Sequence, residues 1–229
     1  MSLDGVMIFA AGFGTRMRPL TNHMPKPMVP LLGRPMIDYA IDAARDAGAK
    51  TIVANLHYKP DTLSSHLVAR GVIPVLEAPD ILDTGGGLLN ARAHFRNDTV
   101  CTMNPDAVWD GPNPLGFATT HWDPDKMDAL LVTIDPNRAI GSESPVNLGI
   151  NDEGRLFWGS DVIYGGVQII KLSTLDSITE KTFSLRLVWD HLMAQGRCAG
   201  CVYPGRWSDV GHPGGIALAE ALLRDSHHA

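Results

Sequence analysis

A short apolar strand that breaks into a loop of glycines and prolines constrains this chain more than any other feature. Val6-Met7-Ile8-Phe9-Ala10 is continuously apolar and stops at Ala11-Gly12. Such a run reads as a strand buried on both faces, as in a parallel sheet covered by helices. Ligands of open α/β sheets bind beyond the carboxyl ends of the strands. The loop Ala10-Ala11-Gly12-Phe13-Gly14-Thr15-Arg16-Met17-Arg18-Pro19 begins at such an end. Gly12 and Gly14 free the backbone for a close approach, and consecutive N–H groups in such a turn cradle phosphate oxygens. Arg16 adds a planar cationic fork.

Two familiar phosphate loops are absent. Met17 stands where a dinucleotide fingerprint needs its third glycine, and no Gly-Lys-Ser/Thr follows. That excludes a Rossmann oxidoreductase and a Walker NTPase. Farther on, Pro25-Lys26-Pro27-Met28 holds a lysine between two prolines, so Lys26 is aimed at small entropic cost.

The rest of the chain alternates strand and helix patterns. Strands are expected at 6–10, 51–54, 72–76, 99–103, 129–134 and 162–170, the last interrupted by Gly165-Gly166. Helices are expected from Pro35 to Gly48 and at 61–69, 115–121, 185–194 and 214–223. Another is expected to open at Gly85-Gly86-Gly87 and run to about residue 94. Residues 147–158 read as a hairpin turning at Asp152-Glu153-Gly154. The expectation is an α/β fold: a Rossmann-like three-layer α/β/α arrangement on a mixed, mostly parallel central sheet, with a small substrate-binding β lobe. All of 1–229 reads as a single domain.

The net charge of -6 argues against a nucleic-acid partner. No apolar stretch long enough to span a membrane and no leader-like start is seen, so the cytoplasm is expected. Cys198-Ala199-Gly200-Cys201 has redox or metal spacing but no second ligand pair. These cysteines are expected to be partly buried packing residues.

The two-part string Ala-Gly-Phe-Gly-Thr-Arg-Met-Arg-Pro-Leu-Thr (residues 11–21) and Pro-Lys-Pro-Met (25–28) resembles the signature of the sugar nucleotidyltransferases, the nucleoside-diphosphate-sugar pyrophosphorylases. Asp83-Thr84-Gly85-Gly86-Gly87, Asn104-Pro105-Asp106 and Trp207-Ser208-Asp209-Val210-Gly211 extend the resemblance over nearly the whole chain. It implies a Mg²⁺-dependent enzyme that joins a nucleoside triphosphate to a sugar 1-phosphate and releases pyrophosphate. Within the family, the length, the Thr-Gly-Gly-Gly run and the Trp-x-Asp-Val-Gly ending are similar to short members of cell-wall recycling. Those members use UTP and N-acetylmuramate 1-phosphate.

The resemblance implies Arg16, Lys26 and Asp106 as catalytic residues and Asp106 and Asp209 as Mg²⁺ ligands. It implies nucleotide contacts from Ala10, Ala11, Gly12, Gly14, Thr15, Arg16, Lys26, Asn55, Gly85 and Gly86. Sugar contacts are implied at Asn104, Asn147 and Gly165. Alternatives are GTP with mannose 1-phosphate, another sugar-phosphate pair, or a non-catalytic nucleotide-sugar sensor. A sensor would be expected to lose one of the four charged residues, and all four remain. A monomer or small homo-oligomer is expected, without the β-helix extension of bifunctional relatives. The chain departs from the family at Phe13, where a lysine or small polar residue is frequent. It departs again at Pro105 and His212. The Glu-Lys-Pro segment of longer relatives is missing, leaving Arg155 as the cation expected near the sugar.

Overall fold

A computed structural model describes residues 3–226 of the chain. In chain order its main elements are β1 (Gly5–Phe9), α1 (Met36–Asp46), β2 (Thr51–Leu56), α2 (Pro60–Ala69), β3 (Ile73–Leu76) and α3 (Asp83–Ala91). There follow β4 (Thr99–Met103), β5 (Ala107–Asp110), α4 (Pro114–His121), β6 (Ala129–Ile134), and the strands β7 (Leu148–Ile150) and β8 (Leu156–Trp158). The chain continues with β9 (Ile163–Lys171), α5 (Leu185–Ala194), β10 (Cys198–Val202), β11 (Arg206–Asp209) and α6 (Pro213–Ser226).

Seven strands form the central sheet in the order β10-β6-β9-β4-β1-β2-β3. β9 alone runs against the other six, so the sheet is mixed and mostly parallel, as expected. Alternation along β1 sends Val6 and Ile8 to one core and Met7 to the other. The first core takes Ile37, Ile41 and Ala44 of α1, Leu63 and Leu67 of α2, and Leu115 of α4. The second takes Leu88 of α3, Val188 and Leu192 of α5, and Leu148 and Leu156 of the hairpin β7–β8. Helix boundaries follow local chemistry. Gly48, at φ +83°, closes the turn after α1. Asn113 caps α4 through the N–H groups of Leu115 and Gly116, and the Ser184 hydroxyl accepts from Arg186 N at the start of α5.

A third core matters most for function. Met17, Val29, Leu31 and Met36 pack with Val108, Val210 and Ala219. This cluster ties the foot of the glycine loop to β5, β11 and α6. Met17, expected only as a loop residue, is fully buried there. Burying such a side chain contributes roughly 1.5–3 kcal/mol, enough to hold a glycine-containing loop in one conformation.

Three of these strands escaped the sequence expectations: β5, β10 and β11. The Cys198–Cys201 segment is β10, paired in parallel with β6. Cys198 and Cys201 enter different cores on opposite faces of the sheet, so the pair cannot act as a dithiol or joint metal site. Burial pushes both thiols up to about 12, which keeps them protonated packing groups. The long strand expected to break at Gly165-Gly166 is instead continuous, with a bulge between Tyr164 and Val167.

At the sheet end opposite the loop, Asp128 accepts hydrogen bonds from Arg197 and Lys171, joining β6, β9 and β10. The Arg197 guanidinium, then the Lys171 ammonium, hold its carboxyl down at about 2. A carboxyl depressed in the folded state stabilises the fold above its unfolded value near 4, and that contribution fades as pH falls towards about 2. Asp128→Asn is therefore expected to cost about 2 kcal/mol near neutral pH by urea denaturation, with the gap to wild type closing in acid.

Candidate active site

β1 ends beneath a cleft of about 390 Å³. Its walls come from the glycine loop, the Lys26 segment, the end of β2, the start of α3 and the turn before β5. Gly14 stands at φ +61°, a conformation that glycine adopts without a Cβ penalty. A Cβ there would lie 2.8 Å from the Cβ of Lys26, so glycine also lets the loop close onto the lysine. Thr21 Oγ1 donates to Gly14 O at 2.8 Å and fastens the same turn. Phe13 does not line the cleft. It turns outward, edge-on to His57 and Tyr58, with ring centroids 5.3 and 5.9 Å away. The departure at this position therefore adds a hydrophobic clasp to the loop and leaves the cleft wall to Gly12, Gly14, Thr15 and Arg16.

Lys26 Nζ lies 2.5 Å from Asp106 Oδ2, with side-chain exposures of 16% and 25%. The pair is half-open, placed to meet a charged ligand rather than to support a core. β5 and β11 are antiparallel, with Asp209 opposite Ala107 and Val210 N donating to Asp106 O at 2.8 Å. This ladder brings the two aspartate-bearing segments, far apart in sequence, onto adjacent rungs. Asp209 ends β11 and lies four residues before α6. Gly211 completes the arrangement: a Cβ there would stand 3.2 Å from an Arg16 guanidinium nitrogen and 3.3 Å from Asp209 Oδ2.

Asp209 Oδ2 accepts from Ser144 Oγ at 3.1 Å, whereas its Oδ1 is buried without a hydrogen-bond partner. A buried carboxylate oxygen without a protein partner can be satisfied by a bound ion or water. Among the described residues no cluster of three or more His, Cys, Asp or Glu side chains could hold a metal unaided. That does not count against magnesium, which is usually held by one or two carboxylates together with substrate phosphates. The donor set therefore fits Mg²⁺.

A buried network that the sequence reading missed supports the cleft. Asn55 Oδ1 accepts from Ala10 N at 2.8 Å, and its Nδ2 donates to Glu77 Oε1 at 2.7 Å. Glu77 Oε2 accepts from Leu82 N at 2.7 Å. Glu77 and Asn55 are almost wholly buried, and together they link the first residue of the glycine loop to the entry of α3. Asn55 lines the cleft with its side-chain amide already engaged in positioning the loop.

Gly85 and Gly86 do not reach the cleft. They lie inside the first turn of α3, which begins at Asp83 rather than at the glycines. Both N–H groups donate to Phe183 O, and a Cβ on either would overlap Phe183 or Lys181 O. Here glycine permits close packing of α3 on the segment before α5, and the wall facing the cleft is Asp83 and Thr84. Asp83 itself has φ +61°.

A second cavity of about 290 Å³ adjoins the first and shares Phe9, Asp83, Thr84 and Asn104 with it. Asn104 and Asn147 line it, together with Tyr164, Trp189 and Arg186. Trp189 Nε1 donates to Gln168 Oε1, and Gln168 Nε2 to Thr102 Oγ1, which makes its floor rigid. Gly165 lies away from it, facing Trp109 and Ile134. The bulge acts instead through Gly166, whose carbonyl accepts from Asn104 N at 2.8 Å. Arg155 is also elsewhere, bonded to Lys126 O. Arg186 is the cation at this wall, and an isolated arginine in a helical stripe gave no sequence signal of that.

The nucleotidyl transferase family model matches residues 5–120. The chain is 33% identical to an N-acetylmuramate alpha-1-phosphate uridylyltransferase of Caulobacter vibrioides, covering 96% of this chain and 97% of that protein. It is 28% identical to a mannose-1-phosphate guanylyltransferase of Mycobacterium tuberculosis, over 95% of this chain but only 64% of that relative's length. The crystal structure of HddC from Yersinia pseudotuberculosis superposes with a TM-score of 0.77 at 23% identity, covering 96% of this chain and all of that one. This last likeness is one of fold. Among the described residues no helix is long and apolar enough to cross a membrane.

Proposed function

We propose UTP and N-acetylmuramate 1-phosphate as the substrates of this chain, which belongs to the nucleotidyl transferase family and is a sugar-1-phosphate nucleotidyltransferase. Likeness to the Caulobacter uridylyltransferase over nearly the full length of both proteins supports that pair. GTP with mannose 1-phosphate is the second reading, supported by the guanylyltransferase relatives. We take residues 1–229 as a single nucleotidyltransferase domain working in the cytoplasm as a monomer or small homo-oligomer.

The observation that carries the chemistry is the partly exposed Lys26–Asp106 pair in the cleft under the glycine loop. In the proposed reaction an oxygen of the sugar phosphate attacks the α-phosphorus of the nucleotide. A new P–O bond forms, the bond to the β-phosphate bridge breaks, and pyrophosphate leaves with that electron pair. The attacking phosphate is already anionic, so no general base is needed. The protein's task is positioning and charge neutralisation.

The backbone of Ala10, Ala11, Gly12, Gly14 and Thr15 cradles the nucleotide, and Arg16 neutralises the outgoing pyrophosphate. Lys26 faces the α-phosphate and orients Asp106. Asp106 and Asp209 would hold Mg²⁺, with the unpartnered Asp209 Oδ1 as one donor. Bound there, the ion supplies Lewis-acid neutralisation of phosphate charge. Asn104 and Asn147 bind the sugar in the second cavity.

The test is a matrix of UTP, GTP, CTP, ATP and dTTP against a panel of sugar 1-phosphates, with pyrophosphate release as readout. The highest kcat/KM is expected for UTP with N-acetylmuramate 1-phosphate. A maximum at GTP with mannose 1-phosphate would replace that assignment with the second reading.

A further inference from the structure

The second cavity has two charged residues in its wall, Asp83 at the junction with the first cavity and Arg186 on α5. Phosphate charge already has its cations in the first cavity, Arg16 and Lys26. Arg186 is thus a cation beyond what the reacting phosphates need. Its guanidinium carbon sits 4.5 Å from the centroid of the Trp158 ring, and Trp158 Nε1 donates to Asp190 Oδ1 at 2.6 Å. One face of the guanidinium is therefore held on an indole that is itself fixed. Among the described residues no carboxylate forms an ion pair with Arg186. Its N–H fork, which suits a carboxylate bidentately, is free for a ligand.

We infer that Arg186 is a specificity residue that selects sugar 1-phosphates bearing a carboxylate substituent. Trp158 stacks against Arg186 and sets the direction of the fork. The inference rests on reading the second cavity as the seat of the sugar. It goes further by assigning acid recognition to one side chain. It accounts for the one cation on a cavity whose other charged wall residue, Asp83, lies at the junction with the first cavity. A neutral sugar would meet an uncompensated guanidinium there.

Two substrates differing only in the acid decide the matter: N-acetylmuramate 1-phosphate and N-acetylglucosamine 1-phosphate. Steady-state kinetics are measured for wild type, Arg186→Gln and Arg186→Lys with each. Arg186→Gln is expected to raise KM for the acidic sugar by ~10–100-fold, the loss of a charge-assisted pair. KM for UTP and the kinetics with the neutral sugar are expected to stay near wild type. Arg186→Lys, keeping the charge without the fork, should fall between. Because the side chain is exposed, unchanged melting and an unchanged KM for UTP exclude misfolding as the cause. An equal loss on both sugars would overturn the inference and place Arg186 on the 1-phosphate. An unchanged KM for the acidic sugar would also overturn it, while leaving the transferase reading intact. Failure of wild type to release pyrophosphate from any pair would instead strike the proposed function itself.

Discussion

Asp106→Asn is expected to lower kcat by at least about 10²-fold while leaving the fold intact. The substitution keeps the size and one acceptor oxygen of the side chain but removes its charge. The Lys26 ammonium, 2.5 Å away, then loses the partner that orients it, and one of the two proposed Mg²⁺ ligands becomes neutral. Losing one preorganised electrostatic contact at such a centre costs about 10²–10³ in rate. Asp106 is a quarter exposed and its backbone carbonyl, not its side chain, bonds to Val210, so stability should change by less than ~1 kcal/mol. Steady-state rates at saturating substrates, with a thermal melt on the same sample, check both halves. A rate within a few-fold of wild type would remove Asp106 from the reaction.

Glu77→Ala is expected to be the most damaging substitution outside the cleft. Each Glu77 oxygen accepts one buried donor, Asn55 Nδ2 or Leu82 N. Leaving a buried donor unpartnered costs roughly 1–3 kcal/mol, so the loss should reach about 3 kcal/mol or more. In a chain of this size that corresponds to a fall in Tm of about 6–12 °C. Gln supplies only one acceptor oxygen and should fall between the two. Because Asn55 anchors Ala10 N, the glycine loop should loosen as well, raising KM for the nucleotide. Melting curves and nucleotide kinetics on Ala and Gln variants test the coupling. A large stability loss with an unchanged KM would separate Glu77 from the loop.

What the sequence revealed depended on how local each cause is. β1, α5 and β6 were legible because continuous apolar runs or a helical stripe mark them directly. The glycine loop was legible because its backbone demands and charges lie within a few residues. β10 was missed because Cys-Ala-Gly-Cys-Val is made of small residues without alternation, and its CxxC spacing invited another reading. β5 and β11 are each four residues long and become strands only by pairing with each other. The site divides the same way. Lys26 and Asp106, each implied by the resemblance as a catalytic residue, form an ion pair although 80 residues separate them. The family resemblance implied Gly85 and Gly86 as nucleotide contacts, where glycine would permit a close approach. They do approach closely, but to Phe183 and Lys181 O. Composition cannot tell a glycine that admits a ligand from one that admits a neighbouring segment. Glu77 and Arg186 carry no local signature, because their roles come entirely from what the fold places beside them.

The cleft under the glycine loop is proposed to join a nucleotide to a sugar 1-phosphate with loss of pyrophosphate. Phosphorus-31 NMR of the purified protein with UTP, N-acetylmuramate 1-phosphate and Mg²⁺ tests it most directly. The sugar-phosphate and UTP signals are expected to fall together, as pyrophosphate and the coupled pair of a nucleoside-diphosphate sugar rise in equal amounts. Asp106→Asn is expected to abolish this conversion on the same timescale. Orthophosphate as the only product, or conversion undiminished in Asp106→Asn, would contradict the proposal.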